Sequence, residues 1–249
     1  MPTITDTAIC IRRWDYSEFS QTVSLFGRDH GITRGLVKGA KRARGSFGGG
    51  LDLLTCGEVV AIIKPGRDLA TVTQWHLLET YPALRQRLDA NRAGLYMADL
   101  IHLMLVEHDP HPALFEALRT ALGNLDDAPR TLLGFQWKLL CETGYRPRLD
   151  TDAQTGRALP QEGPNLAFSP SAGGAVADTG AADRWRVRRR TIDLIRAIAA
   201  GKPCGGEDRK LVEHANRLLA AYIRELLGNE PKTTRWAFGA GGPQDPHAD

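Results

Sequence analysis

Arg34, Lys38, Lys41, Arg42 and Arg44 place five cationic side chains within eleven positions, with no acid among them. Arg28 extends the run, and Asp29 is the single acid between residues 28 and 44. Cations spaced this closely neutralise phosphates and release the counterions condensed on a polyanion. Phosphate contacts carry no base information, so such a run grips nucleic acid of any sequence. Gly35, Gly39, Gly45, Gly48, Gly49 and Gly50 stand among and after the cations. Lacking a Cβ, they are expected to let backbone approach phosphate and the segment adapt. A solvated hairpin with incidental charge is the plain alternative. If five or six phosphates of a single strand are neutralised, log K should fall with log salt at a slope of roughly −3.5 to −4.

A second basic run, RWRVRRR, carries Arg184, Arg186, Arg188, Arg189 and Arg190 near the start of an expected helix. Cations there oppose the helix dipole, which hints at an external anion. A solvated arginine-rich face explains the run equally well. Lys232 and Arg235 in PKTTR are candidates for the same path. Single-strand binders stack bases on aromatic rings. Trp14, Tyr16, Phe26 and Phe47 lie in or beside the expected strands, where aromatic side chains more often fill the core.

Other chemistry is missing. GLVKGAK has the wrong glycine spacing for a phosphate loop and no Ser or Thr after a Gly-Lys. There is no G-x-G-x-x-G, no G-x-S-x-G and no H-E-x-x-H. His102, His108 and His111 cluster with Glu107 and Asp109, but His108 and His111 straddle a proline at a helix end, a poor geometry for chelation. Cys10, Cys56, Cys141 and Cys204 are far apart, which suggests buried, reduced thiols of a cytosolic protein rather than a disulfide framework. The N-terminus lacks the pattern of a signal peptide. LYMADLIHLMLVEH is too short and too polar to span a bilayer. The net charge of +3 over 249 residues is modest, so the placement of charge matters more than its sum.

Short Val-, Ile- and Thr-rich runs at about 7–13, 20–27, 32–38, 57–64 and 69–77 predict five strands separated by turn residues. They suit a small Greek-key barrel of the OB type over residues 1–80, although an SH3-like barrel would read similarly. Helical periodicity follows at about 84–107, 112–123, 129–143, 185–200 and 208–227. The third of these helices is apolar on most faces and belongs in the middle of a bundle. Residues 146–183 break the pattern and read as a loop-rich insertion, too long for an ordinary connector. The expected class is α+β: an N-terminal OB-fold barrel, then an all-helical domain over 81–236 with that insertion, and a disordered tail at 237–249.

The run VSLFGRDHGITRGLVKGAKRARGSFGGGLDLLTCGEVV resembles the N-terminal domain of the RecO family of DNA repair proteins. WHLLETYPAL, GFQWKLLCETGYRPRLD, FSPSAGG and LLGNEPKTTRW continue the resemblance in order along nearly the whole chain. It implies a non-enzymatic recombination mediator, cytoplasmic and at the nucleoid. Such a protein binds single- and double-stranded DNA, anneals complementary strands and, with RecR, helps load RecA onto DNA coated by single-strand-binding protein (SSB). The acidic, apolar tail of SSB needs a cation beside an apolar groove, and Arg130, Phe135, Trp137 and Lys138 are the candidates. Many members hold zinc through four cysteines in the insertion. Here those positions read Asp152, Thr155, Ala177 and Gly180. No cofactor is therefore expected, and the order of the insertion comes into doubt. A DNA-modifying enzyme and a cold-shock-like RNA binder remain as competing readings.

Overall fold

The structure, a computed structural model, describes residues 2–42, 47, 51–64, 66–181, 183–202 and 206–239. Two compact units divide the chain, Met1–Asp126 and Asp127–Asp249.

Five strands begin the first unit: β1 (Thr3–Asp15), β2 (Gln21–Gly27), β3 (Gly31–Val37), β4 (Cys56–Ile62) and β5 (Ala70–Glu79). They close as a barrel in the order β1-β2-β3-β5-β4, with β4 pairing back onto β1. Among the described strands of the barrel, only β3 and β5 run parallel. Closure leaves no free sheet edge, so every strand is paired on both sides. Ala8, Cys10, Val23, Leu25, Val37, Val59, Ala61 and Val72 fill the interior. Small residues are needed where strands cross closely. A Cβ on Gly35 would stand 2.7 Å from Val72 Cγ2. Gly35 therefore serves barrel closure rather than the approach of backbone to phosphate. Gly45, Gly48, Gly49 and Gly50 lie outside the described residues.

Among the described residues, this unit also holds three helices, α1 (Ala83–Gln86), α2 (Leu88–Met104) and α3 (Pro112–Gly123). The helix expected at 84–107 is broken at Arg87, whose backbone is extended (φ −131°, ψ 128°). The first three helices fold with the barrel, so the first compact unit extends to Asp126. Phe26 of β2 meets Phe115 of α3 at 5.8 Å between ring centroids, and Arg12 of β1 pairs with the buried Asp99 of α2.

The second unit holds α4 (Ala128–Glu142), α5 (Arg189–Ala199), α6 (Arg209–Leu227) and α7 (Thr234–Phe238). Asp127 caps α4 by accepting from Arg130 N, and Asp208 caps α6 by accepting from Lys210 N, each satisfying an orphan donor. α4 packs chiefly against α6, which also packs against α5, and Leu132, Leu133, Phe135, Leu139 and Leu140 are buried. Gln136, also fully buried on it, donates to Asn216 Oδ1 of α6 at 2.7 Å, and Asn216 Nδ2 donates to Pro129 O.

The unit is not all-helical. The segment expected to be loop-rich carries a three-stranded antiparallel sheet, β7-β6-β8, of β6 (Asn165–Ser169), β7 (Gly174–Val176) and β8 (Trp185–Arg188). The helix expected from residue 185 therefore starts at 189. Arg148 forms a parallel bridge with Gly174, accepting from Ala175 N at 2.8 Å while its own N–H donates to Gly173 O at 2.9 Å. A Cβ on Gly174 would lie 2.0 Å from Arg148 O, so no larger residue fits there. The expected tail is described only to Gly239; residues 240–249 lie outside the described set.

Candidate nucleic-acid interface

The register of β1 decides which side chains reach the barrel's outer face. Cys10 opposes Leu25 on the core side, and a bulge at Ile11 then shifts the pairing so that Arg12 opposes Ser24. One extra residue reverses the alternation. Arg12 and Trp14 consequently turn outward, whereas Arg13 stands opposite the core residue Val23. Following the ladder into β3 gives two outer rows, Arg12–Ser24–Arg34 and Trp14–Thr22–Leu36. The first row sits at the border of the helical cover, where Arg12 pairs with Asp99 and Arg34 Nε lies 2.9 Å from Glu107 Oε1. Trp14 in the second row is 46% exposed.

The cations beside this face differ in how far they are committed. Lys38 is exposed and has no ion pair among the described residues. Arg42 places its guanidinium 5.3 Å from the centre of the Phe19 ring. Lys41 Nζ is 2.8 Å from Asp15 Oδ1, and Arg28 Nε is 3.3 Å from Glu116 Oε1. Arg28, Arg34 and Lys41 remain partly exposed within these pairs. Pairs of this kind contribute about 0–1 kcal/mol, so exchanging the carboxylate for a phosphate costs little. Arg44 lies outside the described residues. Of the aromatic candidates, Phe26 is buried, Phe47 packs against the barrel core, and Trp14 and Tyr16 are exposed. Phe19, exposed at the same hairpin tip, was missed by sequence reasoning; its place beside Arg42 comes from the turn and not from any local pattern.

The second basic run splits in two. Arg186 and Arg188 point to the same exposed face of β8, and Arg190 is exposed at the start of α5. None of the three has an ion pair among the described residues, although Arg186 donates to the side-chain oxygen of Asn165 on β6. Burial first, and then the charges of Arg188 and Arg217, hold the His214 pKa below its usual value, a sign of the positive field there. Arg189 is a correction to the expected anion site. Its guanidinium donates to the carbonyls of Pro160, Glu162 and Gly163, so it ties down the loop before β6.

The partner-binding expectation narrows in the same way. Phe135 is buried in the core. Arg130 is held by Asp127 and by Glu207 O, and Lys138 pairs with Glu142 at 2.6 Å. Trp137 alone of the four lines an open cleft of about 230 Å3, together with Arg146, Pro147, Arg148, Leu149, Asp150, Arg196 and Ala199. Arg146 lies 5.5 Å from the centre of the Trp137 ring.

Structural zinc requires about four nitrogen, sulfur or carboxylate ligands, and the four positions in the insertion do not supply them. Asp152 is the one ligand type present, and its carboxylate is already occupied. Oδ1 accepts from the N–H groups of Gln154 and Thr155 at 3.0 and 2.8 Å, and Oδ2 accepts from Ala177 N at 2.8 Å. Among the described residues no three His, Cys, Asp or Glu side chains gather as a metal site. Burial pushes the Cys10 thiol up to about 12, so it offers no thiolate at neutral pH. Among the described residues no helix is long and apolar enough to cross a membrane.

A small OB-like barrel with an exposed cationic and aromatic face, followed by a helical unit, is an arrangement compatible with contact to a polyanion. Comparison with known proteins gives the same direction. The family model described as Recombination protein O N terminal matches residues 1–81, and that described as Recombination protein O C terminal matches residues 85–235. The chain belongs to the RecO family of DNA repair proteins. Relatives named DNA repair protein RecO include one from Rubrobacter xylanophilus, 30% identical over 94% of each chain. Another, from an Anaeromyxobacter species, is 31% identical over 92% of this chain and 93% of its own. A third, from Rhodopirellula baltica, is 33% identical over 77% of this chain and 72% of its own.

Proposed function

We propose that this protein is a non-enzymatic recombination mediator. It binds single- and double-stranded DNA, anneals complementary strands and, acting with RecR, helps load RecA onto SSB-coated DNA in the cytoplasm. The observation that carries the reading is the exposed Lys38, with Arg42 held at the hairpin tip beside Phe19, on the barrel of a chain of this family. Cations on such a face offset the repulsion between two phosphate backbones, which is what annealing requires. In this reading the chain works without zinc, and the Asp152 carboxylate joins the two arms of the insertion. Mixing the purified protein with complementary labelled oligonucleotides should accelerate duplex formation, less so as salt rises. No acceleration at low salt, or cleavage of the DNA instead, would remove the reading.

The tail of SSB docks in the cleft beside Trp137. An acidic, apolar peptide would meet Arg146 and Arg148 at a wall formed by the indole, Pro147 and Leu149. Arg146→Ala should weaken binding of a labelled acidic, apolar peptide by about 5- to 30-fold, the scale of one charge-assisted hydrogen bond. DNA affinity should be unchanged. An unaltered peptide affinity places the tail elsewhere.

A further inference from the structure

Trp14, Tyr16 and Phe19 are 46%, 63% and 42% exposed, and all stand at the tip of the β1–β2 hairpin. The other large apolar residues exposed in this unit, among those described, are aliphatic. Asp15 pairs with Gln21, and Tyr16 N donates to Ser20 O at 3.0 Å, so the tip is a tight, hydrogen-bonded turn. It is also fastened to the basic segment. Lys41 N donates to Phe19 O at 3.1 Å, Gly39 N donates to Ser20 Oγ at 3.3 Å, and the Lys41–Asp15 and Arg42–Phe19 contacts close the same junction. Aromatic faces and cations are thereby held as one surface.

The chemistry of that surface selects its occupant. Isolated rings left in water are ordinary, but three at one tip, interleaved with cations, match a ligand that presents flat π-faces and negative charge together. An apolar protein surface would have to strip water from the Lys41–Asp15 pair and from Arg42 and offer them no new polar partner. A nucleic acid offers both features, and only a single strand offers the faces, because duplex bases are stacked on one another. We propose that the β1–β2 tip is a base-stacking platform that makes the barrel prefer single-stranded over double-stranded DNA. This rests on the DNA-binding reading above and adds to it the source of strand preference.

The test uses three labelled probes of equal length: a single strand, a duplex, and a single strand in which abasic sites replace several nucleotides. Trp14→Ala, and separately the double variant Tyr16→Ala/Phe19→Ala, should bind the intact single strand about 5- to 100-fold more weakly, the range for removal of a stacked base. Duplex affinity and the salt slope should stay as in the unchanged protein, and Trp14→Phe should keep most of the single-strand affinity. The unchanged protein should discriminate against the abasic strand, and Trp14→Ala should not. All positions changed are exposed, and circular dichroism checks that the barrel is intact. Equal single-strand affinity in the variants, or an equal weakening on all three probes, overturns the platform while leaving DNA binding in place. A change in self-association alone also overturns it and assigns the tip to contact between copies. If the unchanged protein binds no probe at low salt, the DNA-binding reading fails, and this proposal with it.

Discussion

Changing Arg34, Lys38, Lys41, Arg42 and Arg44 together to alanine is expected to weaken single-strand binding roughly a thousandfold near 0.1 M salt. The slope of log K against log salt should become shallower by about 3.5, because each phosphate left unneutralised takes about 0.7 from it. The structure makes this prediction uneven from residue to residue. Lys38 has no carboxylate partner among the described residues, whereas Arg34 and Lys41 each give up an acid when a phosphate arrives. Removing Lys38 alone should therefore lower the slope by close to the full increment. The competing acid gives a prediction of opposite sign. Glu107→Gln keeps the shape of the side chain but frees Arg34, so binding should tighten a few-fold and the slope should steepen. Anisotropy across a salt series measures both variants. Unchanged affinity and slope in the five-residue variant would remove this segment from the mechanism, and weaker binding by Glu107→Gln would mean that Arg34 needs its partner to be positioned.

The second large effect is on stability. Asp152→Ala leaves three backbone N–H groups, those of Gln154, Thr155 and Ala177, without their acceptor. Hydrogen bonds to a charged group contribute about 1.5–3 kcal/mol each, less whatever water returns to these partly exposed donors. The expected destabilisation is about 3 kcal/mol or more, a fall in Tm on the order of 10 °C for a unit of this size. Acid should have a related effect. Burial by itself would raise the Asp152 pKa, but the N–H groups of Ala177, Thr155 and Gln154 outweigh it and hold the carboxyl below its ordinary value. A depressed folded pKa means that the contribution is complete above the unfolded value, near pH 4, and is lost as pH falls through the folded one. Asp152→Asn should lose that acid-dependent part of the stability. A chelator should leave the Tm of the unchanged protein where it was. Stoichiometric zinc by elemental analysis, or a chelator-induced fall in Tm, would overturn the view that a carboxylate replaces the metal cross-link.

Much of the chain could be read locally. Val-, Ile- and Thr-rich runs placed all five barrel strands to within a few residues, because alternation and turn residues are properties of short segments. The helical periods of α3, α4 and α6 were legible for the same reason. The insertion was not. Its strands β6, β7 and β8 are three to five residues long, and its order depends on contacts across 25 residues, from Asp152 to Ala177, that no local pattern announces. The starting point of α5 was misplaced because WRVR is compatible with either state, and pairing with β6 decides it.

The sequence by itself determined that a dense cationic segment would follow a β-rich start, and that the series of motifs would be that of one DNA repair family. Composition and order along the chain are enough for that, since charge density and strand propensity need no partner. Only the tertiary structure decided which of those charges are free and which aromatic rings face water. A single bulge at Ile11 turns Arg12 and Trp14 outward, and Glu107, Asp15 and Glu116, distant in sequence from the cations they meet or brought to them by a turn, set the competition a phosphate must win. Register and ion pairing are relations between strands and helices, so they exist only once the chain has folded.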